Sequence, residues 1–181
     1  IESYQKALKI KPDYFPAYYN TANILQIKGD LDTAIKNYKK ALSLRPDHAE
    51  TYSNMGNALK DHGKLEEAIE SYNKALAIKP DYAEAYSNMG IALKDQGKLE
   101  EAIEAYNKAL ATKPDYAEAY SNMGDALNEQ GKLEEAIKAY NKALSIKPDY
   151  AEAYSNMGVA LNEQGKLEEA IEAYNKALSI K

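Results

Sequence analysis

Between residues 83 and 116, apolar and small side chains return at the spacing of a helix rather than of a strand. Within 83–96, Ala85, Tyr86, Met89, Gly90, Ala92 and Leu93 fall on one broad face, while Glu84, Ser87, Asn88, Ile91, Lys94 and Asp95 collect opposite. A second run sets Leu99, Ala102, Ile103, Tyr106, Ala109 and Leu110 against Glu100, Glu101, Glu104, Asn107 and Lys108. Two amphipathic helices are therefore predicted. Gly97 separates them where a left-handed cap needs a residue without Cβ, and Pro114 closes the second. Asp115 and Glu118 read as a relative of the capping box that opens the next helix, as do Asp47/Glu50, Asp81/Glu84 and Asp149/Glu152. Asp13 is followed by Pro16, so the earliest joint lacks that box.

The whole chain restates this unit at a period of 34 residues. Full repeats span 15–48, 49–82, 83–116 and 117–150; 151–181 is a last helix pair, and 1–14 is the second helix of a truncated repeat. The joints are alike and no low-complexity linker intervenes, which predicts a single array over 1–181 in which each repeat buries its apolar face against its neighbours. A start inside a second helix and an end where the next proline would fall read as a piece cut from a longer array.

The spacing of Tyr86, Gly90, Ala102, Tyr106, Ala109 and Pro114 resembles the tetratricopeptide repeat. Only Thr21 and Ala22, in place of the later Met-Gly pair, depart from it. The resemblance implies an all-α, right-handed α-solenoid of antiparallel helix pairs whose first helices line a concave groove, and a protein or peptide partner in that groove. The Ser-Asn-Met-Gly run is further similar to the repeats of O-GlcNAc transferase and to bacterial tandem arrays. That likeness implies a ladder of Asn20, Asn54, Asn88, Asn122 and Asn156 holding an extended peptide. It does not extend to the transferase activity, because nothing here resembles a sugar-nucleotide domain. Nor does the lysine and arginine clamp of chaperone-tail receptors carry over, since the corresponding face offers Ser53, Ser87 and Ser121 with Glu50, Glu84 and Glu118.

Residue chemistry leads to the same ladder independently. Asparagine at the sixth place of every repeat is a poor choice for an exposed helix interior. Its amide can match a peptide group in either direction. Helices packed about 8–10 Å apart would present one such amide roughly every three residues of an extended chain. Selectivity is expected where the copies differ, above all at the ninth place: Asn23, Asn57, Ile91, Asp125 and Val159. Lys60 and Lys94 give way to Asn128 and Asn162, so the groove should turn acidic towards the C-terminal end and favour basic ligand residues there.

Catalytic chemistry finds no support in the composition. His48 and His62 stand alone, and the Glu66/Glu67 type of pair is split between helix faces in a first turn that favours carboxylates. With no cysteine there is neither disulfide nor thiol chemistry. We therefore expect no enzyme, no metal and no cofactor. A net charge of −5 and a pI near 5.2 weigh against nucleic acid, and no apolar run is long enough for membrane insertion. A cytoplasmic location is favoured.

The tyrosines divide by place. Tyr38, Tyr72, Tyr106, Tyr140 and Tyr174 on second helices, and Tyr52, Tyr86, Tyr120 and Tyr154 on first helices, are expected in the core. Tyr14, Tyr82, Tyr116 and Tyr150 should staple incoming helices, whereas Tyr19 should be exposed where later repeats carry serine. At the chain's end, Ala170, Ile171, Tyr174 and Leu178 should lie partly uncovered, which suggests end-to-end self-association into a scaffold as the competing function.

Overall fold

The computed structural model describes residues 2–180, and all of its regular structure is helical. By their internal contacts, residues 1–92 and 93–181 form two compact units, and the boundary falls inside one helix. The first unit contains α1 (Glu2–Ile10), α2 (Phe15–Ile27), α3 (Leu31–Leu44), α4 (Ala49–Asp61), α5 (Leu65–Ile78) and most of α6 (Ala83–Asp95). The second contains the end of α6, then α7 (Leu99–Thr112), α8 (Ala117–Glu129), α9 (Leu133–Ile146), α10 (Ala151–Glu163) and α11 (Leu167–Ser179). In the first unit α2 pairs with α3, α4 with α5, and α3 packs on α4; in the second, α8 pairs with α9, α10 with α11, and α7 and α9 pack on the first helix that follows each. This is the α-solenoid class of fold, antiparallel helix pairs stacked consecutively.

Each turn inside a pair is made by a glycine in the left-handed region, with φ between 75° and 80° at Gly29, Gly63, Gly97, Gly131 and Gly165. At Gly63 its own N–H donates to the Lys60 carbonyl at 2.8 Å, and the Lys64 N–H donates to Leu59 at 2.9 Å. These two bonds are the Schellman closure, which satisfies the last carbonyls of the helix.

Close approach inside a pair also depends on missing Cβ atoms. A methyl group at Gly56 would sit 2.6 Å from the Tyr72 ring, and Gly124 and Gly158 stand in the same relation to Tyr140 and Tyr174. Tyr38, Tyr72, Tyr106 and Tyr140 are fully buried, and alanines of the same helices such as Ala34, Ala41, Ala75 and Ala143 lose all exposure. Tyr52, Tyr86, Tyr120, Tyr154 and Tyr174 are half-buried instead of core.

Three local expectations need correction. At α8 and α10 the expected capping boxes do not form, because the chain stays extended one residue longer: Tyr116 and Tyr150 are the N-caps and make no side-chain cap bond. At α4 the cap is His48, whose Nδ1 accepts the Thr51 N–H at 3.2 Å. A carboxylate cap does occur, unforeseen, at Asp30 on α3. Second, Ser53, Ser87 and Ser121 are buried, at 1–2 % exposure. A first helix packs both against its pair partner and against the preceding second helix, which narrows its solvent face. Third, Tyr19 is half-buried, stacked on Phe15 at 5.8 Å and edge-on to His48 at 5.5 Å.

On α11, Leu167, Ile171 and Leu178 are exposed, whereas Ala170 is covered at 2 % exposure. No helix among the described residues is long and apolar enough to cross a membrane.

Candidate functional site

The polar places of the first helices converge on hydrogen-bonded nodes. In the second unit Asp125 accepts from the Tyr140 hydroxyl at 2.8 Å and from Asn156 Nδ2 at 2.9 Å, both on Oδ1. In the first unit Asn23 Oδ1 plays the same part, accepting from the Tyr38 hydroxyl at 2.7 Å and Asn54 Nδ2 at 3.2 Å. Asn54 Nδ2 also donates to the Tyr19 hydroxyl at 3.2 Å, and Tyr38 lies 2.8 Å from Gln26 Oε1. The Tyr72 hydroxyl donates to Asn57 Oδ1 at 2.7 Å. At Asn23, Asn57 and Asp125 the ninth place thus receives the hydroxyl of the buried tyrosine on the second helix of its own repeat. In two nodes it also receives the sixth-place asparagine of the next repeat.

This joint is what sequence reasoning missed. A signal existed: a tyrosine repeated in the middle of an apolar face must bring its hydroxyl to an acceptor or leave it unmet. The Tyr106 hydroxyl, by contrast, is buried without a hydrogen-bond partner. Burial pushes the Tyr38, Tyr72, Tyr106 and Tyr140 hydroxyls far above their ordinary pKa. At Tyr140 the charges of Asp125, Glu129 and Glu163 push further in the same direction. Burial likewise raises Tyr82 and Tyr150, and the Ser53 and Ser121 hydroxyls beside them pull part of the way back. Lys79 and Lys147 lie over those two rings at 4.7 and 4.6 Å.

All of the sixth-place asparagines, Asn20, Asn54, Asn88, Asn122 and Asn156, are half-buried. Asn54 and Asn156 spend their amide nitrogens on the preceding repeat. Asn57, Ile91 and Asp125 are half-buried, as Asn23 is, and Val159 is 40 % exposed. Lys60 pairs with Asp61 at 3.0 Å, whereas Lys94 reaches into the next repeat to Glu129 at 3.2 Å. In the second unit these places enclose a recess of about 270 Å³, lined by Lys94, Asp125, Asn128, Glu129, Tyr140, Asn156 and Val159. A larger recess of about 440 Å³, floored by Ile137, Met157 and Leu161, opens between α9 and α11. One of about 330 Å³ recurs a repeat earlier at Ile103, Met123 and Leu127, with Glu135, Lys138 and Lys142 along it, so this gap follows from stacking second helices.

Both histidines have partners within the first unit. His48 caps α4 and packs on Phe15 at 4.9 Å, and His62 Nε2 stands 3.3 Å from Asp32. Among the described residues no three His, Cys, Asp or Glu side chains are grouped to hold a metal ion.

Comparison with known families accounts for the repeat. The TPR repeat profile matches residues 22–63, 56–97, 92–128 and 124–163, and tetratricopeptide repeat profiles match 3–36 and 151–181. The chain belongs to the tetratricopeptide repeat family. Among solved structures, this TPR chain is similar to MamA at 36 % identity and a TM-score of 0.79, over 87 % of this chain and 92 % of that one. It is similar to YrrB, described as a TPR protein with an unusual peptide-binding site, at 26 % identity and a TM-score of 0.74, over 98 % and 92 % of the two chains. MamA from Desulfovibrio magneticus RS-1, at 22 % identity and a TM-score of 0.82 over 92 % and 94 %, shares the TPR fold. No curated protein sequence matches the chain. Family and relatives make it a protein-interaction module of the TPR type.

Proposed function

We propose that this TPR array binds an extended peptide segment along its first helices, held by Asn20, Asn54, Asn88, Asn122 and Asn156, and that it does so as a non-catalytic module of the cytoplasm. The observation that carries the reading is the anchoring of Asn54 and Asn156. Their nitrogens are committed to Tyr19, Asn23 and Asp125, so each amide is held in one orientation with its oxygen left to accept from a ligand N–H. An amide fixed in advance loses little entropy on binding. The ninth-place residues and Lys60 and Lys94 then tune which side chains the ligand presents. YrrB, with its peptide-binding site, supplies a relative of the same architecture.

The test uses Asn88→Ala/Asn122→Ala, two helical positions whose side chains make no hydrogen bond among the described residues, so that folding and binding are not confounded. Capture from a peptide library should fall, each lost contact costing about 0.5–1.5 kcal/mol, while circular dichroism stays unchanged. Undiminished capture by the variant would remove the ladder.

Exposed Leu167, Ile171 and Leu178 favour a second reading, a scaffold that assembles end to end through α11. Sedimentation mass that rises with concentration would support it, and a concentration-independent monomer would exclude it.

A further inference from the structure

The two fully described nodes differ in one respect that chemistry makes decisive. Asn23 is neutral, whereas Asp125 carries a charge. Both hydrogen bonds to Asp125 converge on Oδ1, which leaves Oδ2 without a donor among the described residues. The carboxylate is half-buried on the wall of the recess.

The recess is also missing a cation that earlier repeats possess. At the twelfth place Lys60 and Lys94 each pair with a carboxylate, but the repeat that contains Asp125 has Asn128 there. Asn128 Oδ1 is itself buried and has no hydrogen-bond partner. Lys94 lines the same recess, yet its ammonium is drawn to Glu129 at 3.2 Å. Asp125 and Asn128 therefore line one recess of about 270 Å³, and its lysine, Lys94, pairs with Glu129 and not with either of them.

We infer that this recess receives the guanidinium of an arginine carried by an extended peptide, paired to Asp125 and completed by Asn128. A guanidinium brings several donors in a rigid plane and is weakly hydrated, so it can serve both oxygens at once where a single ammonium would be held mainly as a point charge. Tyr140 and Asn156 hold the Asp125 carboxylate in place, which fixes the direction of the pairing. The inference deepens the peptide-binding reading above and rests on it: the asparagines would grip the backbone and Asp125 would select the side chain.

The experiment titrates blocked serine-alanine peptides with one central arginine, or its neutral isostere citrulline, into the 15N-labelled chain and follows side-chain amide signals by NMR. Two variants accompany the wild type. Asp125→Asn keeps an acceptor for Tyr140 and Asn156, as Asn23 does in its own node, so its unfolding midpoint should stay near that of the wild type. Asn128→Lys restores the lysine of the earlier repeats and should fill the recess from within. The wild type should bind the arginine peptide about tenfold more tightly than the citrulline peptide, with shifts at the Asn128 and Asn156 amides, and both variants should lose that preference. Binding without preference, or a preference that survives Asp125→Asn, would overturn the arginine assignment and leave the groove intact. Failure of both peptides to bind would overturn the groove reading along with it.

Discussion

A tyrosine hydroxyl decides what the ninth place is for at Asn23, Asn57 and Asp125. Tyr140 reaches Asp125 at 2.8 Å, whereas Tyr106 is buried with its hydroxyl unmet. The same substitution should therefore have opposite consequences. Tyr140→Phe removes a made hydrogen bond to a charged acceptor and should cost about 1.5–3 kcal/mol. Tyr106→Phe removes a buried group that gains nothing and should be neutral or stabilising. Urea midpoints of the two variants check this, and equal losses would sink the acceptor account. At this scale the sequence was only partly legible. The buried tyrosines could be read from their place on an apolar face. Their partners could not, because a residue on a solvent-side register position, such as Asn57, turned out to face its own repeat's second helix as well. Variation at Asn23, Asn57, Ile91, Asp125 and Val159 looks like specificity along the chain, yet part of it is a difference in how each joint is satisfied.

Helix ends show why element existence was easier to read than element chemistry. The inter-helix glycines were correctly legible because a left-handed φ admits few other residues, as at Gly97 with φ 77°. The Pro-Asp-Tyr joints misled because a carboxylate directly after a proline resembles an N-cap, while the cap position belongs to the tyrosine, as at Tyr150 with φ −89° and ψ 83°. Asp149→Ala should accordingly change stability by less than about 0.5 kcal/mol, the range of ordinary surface substitutions. His48→Ala should cost about 1 kcal/mol, because the imidazole accepts the Thr51 N–H at the start of α4 and also lies 2.9 Å from the Thr51 hydroxyl. Thermal melts of the two variants give the comparison directly, and a large loss at Asp149 with none at His48 would restore the capping box. The buried serines follow the same logic: Ser87 is polar enough to be assigned to water, but it is also small enough for a helix packed on two sides.

Over the molecule as a whole, periodicity made the architecture readable, since a repeat that recurs can bury its apolar face only against its neighbours. The electrostatics that matter were not readable, because they depend on burial rather than on charge count. Exposed pairs such as Glu70–Lys74 and Glu104–Lys108, each at 2.7 Å, contribute little to stability and are screened by salt. The buried tyrosines are different. Tyr38, Tyr72, Tyr106 and Tyr140 all have pKa values raised by burial. Below about pH 10 a tyrosine is protonated whether the chain is folded or not, and the shift contributes nothing to the pH dependence. Above it, unfolded tyrosines release protons that folded ones retain, so the unfolded state binds fewer protons and stability falls as pH rises. A neutral-pH array should therefore lose stability steeply between roughly pH 10 and 12. Tyrosinate absorbance should appear in two stages: the exposed rings titrate while the helical signal in circular dichroism holds, and the buried rings titrate together with its loss. Complete titration of all tyrosines at constant helicity would show that these hydroxyls reach solvent in the folded chain, and the hydrogen-bonded nodes at Asn23, Asn57 and Asp125 would have to be abandoned with them.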